Sequence, residues 1–136
     1  MSYILLASYK NPPAHQAAVI LREQGHTVVE TEDGEEAWAV IEQQSELPSV
    51  IFAHLMLPNL DGAELFCRFN ERFPDATTKL MMGVHIESNG EPFRKWSIFI
   101  DSYILRTYSA WQLVLSIEQM LYRATGKIND EIAEAI

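Results

Sequence analysis

Short apolar runs alternate with amphipathic stretches along this chain, and the alternation repeats five times. Tyr3-Ile-Leu-Leu-Ala7 is a continuous apolar run of strand length. Asn11-Pro-Pro13 ends it and presets a helix, because proline's fixed φ suits the first helical position. Ala14, Ala17 and Leu21 then recur at helical spacing until Gly25, which serves as a C-cap. Thr27 to Thr31 alternates and is β-branched, Asp33-Gly34 turns, and Ala37, Val40 and Ile41 mark a second helix that closes before Pro48. Val50 to Ala53 reads as a buried strand, and Ala63 to Phe73 as a helix with Leu65, Phe66 and Phe69 inward, ended by Pro74. Lys79 to Val84 supplies a fourth strand. Ser88-Asn-Gly-Glu-Pro92 opens a helix over roughly 91 to 98, and Ile100 to Leu105 forms a fifth strand. Ser109 caps a long last helix whose inward stripe is Leu113, Ile117, Met120 and Leu121.

Five β/α units in series require right-handed crossovers and a parallel sheet covered on both faces. The expected architecture is therefore α/β and doubly wound, with the flavodoxin-like strand order 2-1-3-4-5. In that order the binding crevice lies at the carboxyl ends of strands one and three, where Ser8, Tyr9 and His54 fall. Residues 1–125 make one domain. The remainder, 126–136, carries an Asn129 cap and Ile128, Ile132 and Ile136 at four-residue intervals, a short amphipathic helix or tail that either packs on the domain or contacts a partner.

Composition narrows the class. A chain of 136 residues with 48% hydrophobic and 21% charged positions suits one soluble globular domain, and no apolar run is long enough to span a bilayer. The N-terminus lacks a signal-peptide pattern, and the single cysteine, Cys67, has no internal disulfide partner, so a cytoplasmic location is expected. With 10 Lys plus Arg against 19 Asp plus Glu, the formal charge of -9 opposes nucleic acid and anionic membrane surfaces, and leaves a protein as the expected partner.

The segment Val50-Ile-Phe-Ala-His-Leu-Met-Leu-Pro-Asn-Leu-Asp-Gly62 is a buried strand running into a tight turn. With Ile4-Leu-Leu-Ala-Ser8, Glu32-Asp-Gly-Glu-Glu-Ala37 and Asp101-Ser-Tyr-Ile-Leu-Arg106, it resembles the receiver domains of response regulators over residues 3 to 124, nearly the whole chain. The resemblance implies a module of two-component signalling and phosphorelay. Such domains need an acceptor aspartate, an acidic pair that holds magnesium, a Ser/Thr on strand four and a lysine on strand five. The metal neutralises phosphoryl charge, while the lysine and the hydroxyl bind the phosphoryl group. Here His54 aligns with the acceptor, Ser8 and Tyr9 with the acidic pair, Gly83 with the hydroxyl, and Arg106-Thr107 with the lysine-proline. A hydroxyl, a phenol and an imidazole offer magnesium no carboxylate, so neither metal nor cofactor is expected. Asp61 and Glu32 occupy turn positions rather than the vacated ones. The chain thus reads as a pseudo-receiver without catalytic residues and not an enzyme. No linker or output domain is read after the last helix, which makes it a stand-alone module.

His54 is expected to fill the old pocket as a neutral, hydrogen-bonded group. The competing readings are a phosphohistidine and a metal ligand acting with His85 and His15. That second class would make the protein a small-ligand or metal sensor around His54 and His85, with Ser8, Tyr9 and Arg106. His26 lies at the opposite edge of the sheet. Arg106 is expected in a surface ion pair or stacked on Tyr9 or Tyr108. Tyr103 matches the aromatic that in receivers turns when the Ser/Thr moves; with Gly83 there it is expected frozen, inward or outward. Cys67 reads as apolar packing, since a redox role needs electropositive surroundings.

Half of the chain's aromatic residues fall between 93 and 122. They lie on the 91–98 helix, the fifth strand and the last helix, the face that receivers use for dimers and output partners. Phe93, Trp96, Phe99, Tyr108 and Trp111 are accordingly the candidate interface for a signalling protein partner or a second copy of the chain.

Overall fold

The computed structural model describes residues 2–85 and 99–125. Five strands, β1 (Ile4–Ala7), β2 (Val28–Thr31), β3 (Val50–His54), β4 (Lys79–Val84) and β5 (Ser102–Leu105), form one parallel sheet in the order β2-β1-β3-β4-β5. Around it lie α1 (Pro12–Glu23), α2 (Gly34–Gln43), α3 (Gly62–Arg72) and α4 (Ala110–Thr125). The expected α/β architecture and strand order are those observed. β3 extends one residue further than expected and so includes His54, and β5 starts two residues later. The helix expected over 91–98 and the segment 126–136 lie outside the described residues.

Side chains alternate across the central strands and divide the core into two layers. Leu5, Ala7, Ile51, Ala53, Leu80 and Met82 face α2 and α3, packing on Leu65, Phe66 and Phe69. Ile4, Leu6, Val50, Phe52 and Met81 face α1 and α4, packing on Leu21, Leu113, Val114 and Ile117. β1 and β3 are buried at every position, which explains why their sequences read as unbroken apolar runs. No helix among the described residues is long and apolar enough to cross a membrane.

Four caps place the helix starts. Asn11, Asp33 and Asp61 each accept the amide three residues on, from Ala14, Glu36 and Glu64 at 3.0, 2.7 and 2.8 Å. Ser109 and Gln112 bond each other's backbone amides reciprocally, at 3.1 and 2.7 Å, in a capping box. Asp61 therefore sits at a helix start, as its turn position implied. Asp33 does more than cap: its other oxygen accepts Asn59 Nδ2 at 3.1 Å, while Pro58 O accepts the Gly34 amide at 3.2 Å. The loop after β3 is thereby pinned to the start of α2. Gly34 permits this close approach, because a Cβ there would collide with the backbone carbonyl of Leu60.

Candidate functional site

The carboxyl ends of β1, β3 and β4 meet at His54. As the last residue of β3, two positions beyond Phe52, it points its ring to the α1/α4 side of the sheet, and none of it is exposed to solvent. Its neighbour across the ladder is Gly83, in register on β4. A Cβ on Gly83 would lie 2.5 Å from His54 Cδ2 and 3.3 Å from Nε2. The ring thus occupies the space a side chain at 83 would need. Phe52 meets the imidazole edge-on at 5.2 Å between centroids, and Tyr108 lies 5.9 Å away on another side.

His54 Nε2 and the Tyr108 phenol oxygen are 2.8 Å apart, and that hydroxyl donates to Asn11 Oδ1 at 3.0 Å. The proton positions follow from the cap. Asn11 Oδ1 already accepts the Ala14 amide, which fixes the orientation of the side-chain amide and leaves only the phenol as donor to it. Tyr108 must then accept from His54, so the imidazole carries its proton on Nε2. Its Nδ1 is the unprotonated nitrogen, buried with no hydrogen-bond partner among the described residues. Protonating it would bury an uncompensated charge, and the surroundings oppose that. Burial foremost, then the positive fields of Arg106 and His85, lower the His54 pKa from 6.5 to about 4. Burial also pushes the Tyr108 phenol well above its ordinary value, partly opposed by Arg106. The site is a hydrogen-bonded chain that runs from a buried, neutral imidazole to the half-buried Asn11.

The other vacated positions are dispersed around it. Ser8 is half-buried after β1, in an open groove that also takes in Lys10, His15, Glu30 and Glu32. Tyr9 is exposed, with the Lys10 ammonium 5.2 Å from its ring centroid. Arg106 follows β5 and donates from Nη1 to His85 Nε2 at 2.9 Å. The expected stacking of Arg106 on Tyr9 or Tyr108 is thus replaced by a bond to His85, which lies at the end of β4 within reach of the guanidinium. Nor do the three histidines converge as a zinc site would require. His54 is committed to Tyr108, His85 to Arg106, and His15 to Glu30 at 2.8 Å, and among the described residues no three His, Cys, Asp or Glu side chains gather to hold a metal. His26 sits 3.5 Å from Glu118 on α4, away from this end of the sheet.

Tyr108 corrects the interface reading. It is 5% exposed and belongs to the core with Phe52 and Leu113, so it is unavailable for docking. Its chain-distant neighbours, His54 and Asn11, draw the phenol inward because both hydrogen-bonding edges are satisfied there. Phe99 is half-buried against the α2/α3 core layer. Trp111 is 56% exposed, as are Leu115 at 55% and Leu105 at 46%; Tyr103 is turned outward at 38%. Phe93 and Trp96 lie outside the described residues. Cys67 is partly buried, and burial first, then Glu71, Asp61 and Glu64, raise its thiol pKa, opposite to what a reactive cysteine needs.

No protein-family model matches the chain. It is similar to the transcriptional regulatory protein PhoP of Escherichia coli O157:H7, 24% identical over 119 residues, which cover 88% of this chain and 52% of that protein. The chain therefore spans about half the length of that relative. Among solved structures it resembles a CheY-like response regulator receiver domain protein from Methanospirillum hungatei JF-1, with a TM-score of 0.77, 20% identity, and 93% and 98% of the two chains covered. The Francisella response regulator 1452 receiver domain gives 0.75 at 20% identity over 90% and 98%. The receiver domain of NtrX from Brucella abortus gives 0.71 at 23% identity over 87% and 97%. The fold is that of these receiver domains.

Proposed function

We propose that this chain is a receiver-type module of two-component signalling that works by protein contact, without aspartyl phosphorylation or magnesium-dependent phosphotransfer. The observation that carries the reading is His54. The position where the resemblance places the phospho-acceptor holds an imidazole that is wholly buried, with Nε2 committed to Tyr108. Neither nitrogen is presented to a phosphodonor. The supporting positions agree in chemistry. Gly83 has no hydroxyl to answer a phosphoryl group, Ser8 and Tyr9 have no carboxylates, and Arg106 is turned to His85. The likeness to PhoP and to receiver domains supports a signalling role, and the lack, among the described residues, of any group of three His, Cys, Asp or Glu side chains that could hold a metal supports the loss of the chemical switch.

The contact surface we assign comprises Tyr103 and Leu105 on β5 and Trp111 and Leu115 on α4, all exposed apolar side chains on adjoining elements. It suits a signalling partner or a second copy. The chemical side of the reading is tested by incubating the purified chain with magnesium and acetyl phosphate and measuring its intact mass. The expected spectrum shows the unmodified protein alone; a phosphate adduct that both hydroxylamine and mild alkali remove, the mark of an acyl phosphate, would sink the reading.

A further inference from the structure

Tyr108 joins three parts of the chain that are far apart in sequence. Its phenol accepts from His54 at the end of β3 and donates to Asn11, the N-cap of α1. Its backbone amide donates to Leu105 O at 3.0 Å, closing the turn out of β5, and the next residue, Ser109, caps α4. The direction in which α4 leaves the sheet is therefore tied to where the phenol is anchored. Trp111 and Leu115 lie on the first turns of that helix.

We propose that the Asn11–Tyr108–His54 chain is a constitutive latch, which holds the loop between β5 and α4, and with it the Trp111 and Leu115 surface, in a single arrangement without covalent input. The inference rests on the pseudo-receiver reading and states what the altered site now does. A residue that merely filled a vacant pocket would need bulk and no partners. Here both anchors are specified: the N-cap bond from Ala14 holds Asn11 Oδ1 ready as an acceptor, and the missing side chain at Gly83 leaves the imidazole room to present Nε2 to the phenol. The Tyr108 ring stands edge-on to Phe52, at 5.8 Å and 87°, so its packing does not depend on the hydroxyl. The hydroxyl can therefore be removed without emptying the core.

Native-state hydrogen exchange on the full chain tests the latch. Tyr108→Phe keeps the ring and deletes the tie, and Asn11→Ser keeps a capping hydroxyl that is too short to reach the phenol. In both variants the amides of residues 105 to 113 should exchange about tenfold faster, the factor that one such bond is worth, while the amides of β1 and β2 keep their rates. Unchanged exchange at 105 to 113 overturns the latch, and so does a uniform acceleration across the sheet, which would mean general destabilisation only. Should Tyr108→Phe fail to fold, Asn11→Ser decides on the same criterion. No phosphodonor enters this experiment. Failure of the latch therefore leaves the phosphorylation reading standing, and a phosphate adduct overturns that reading whatever the exchange rates.

Discussion

Gly83→Ala should destabilise the protein by about 2–3 kcal/mol in urea denaturation, a large effect for one methyl group. The new Cβ would meet His54 Cδ2 at 2.5 Å, closer than real Cβ atoms come, and Phe52 Cζ at 3.1 Å, tighter than most of their contacts. Neither ring has room to give. Phe52 and His54 are both wholly buried, and the imidazole is tied to Tyr108. In an ordinary strand, exchanging glycine for alanine is neutral or mildly stabilising, so the loss comes from the collision. The two positions should consequently be coupled. In a His54→Ala background, Gly83→Ala should cost well under 1 kcal/mol, because the imidazole has vacated the space. An equal cost in both backgrounds would mean that residue 83 is constrained by something other than His54.

Acidification supplies the second large effect. The folded-state pKa of His54 is lowered to about 4, against 6.5 for the unperturbed group. Between those values the unfolded chain binds a proton at this residue and the folded chain does not. Stability at this site is therefore fully present above about pH 6.5 and is lost progressively as the pH falls towards 4, by about 3 kcal/mol in total. Other groups contribute to any pH profile of the whole protein, so the relevant quantity is the difference between the parent and His54→Gln, which has no group to charge. From pH 7.5 to 4.5 the parent should lose about 2–3 kcal/mol more than the variant in urea midpoint-derived free energy. Parallel pH curves would show that His54 is solvated or charged in the folded state.

These two effects share an origin that was only partly visible in the sequence. The fold was legible because the apolar runs at 3–7, 50–53 and 79–84 are central strands buried on both faces, and the helix starts carry local signals in the Asn11-Pro-Pro13 run, the Asp33-Gly34 turn and the Ser109 cap. His54 and Gly83 could be named by their place in the loop and strand. Their contact depends on β3 and β4 pairing in one register, which alternation along each strand leaves open. Tyr108 was misread for a physical reason. It sits in a dense run of aromatics just before a helix cap, and nothing local distinguishes the ring that turns inward from Trp111, which stays outside. What turns it inward is a pair of partners 54 and 97 residues away. Asn11 was recognised as a helix start, but its second role needs the same long-range geometry. The bond between Arg106 and His85 was hidden likewise, because it spans the ends of two strands whose adjacency is a property of the sheet.

The most direct test of the central claim is an amide NMR titration of the full chain with magnesium and beryllofluoride, which mimics an aspartyl phosphate without turnover. The account predicts no saturable shifts around residues 8, 54, 83 and 106, since among the described residues no three His, Cys, Asp or Glu side chains gather to hold a metal, and the buried His54 imidazole has no oxygen to offer beryllium. Saturable, magnesium-dependent shifts at those residues would contradict it, and would mean that a working phosphoryl site survives at the end of β3.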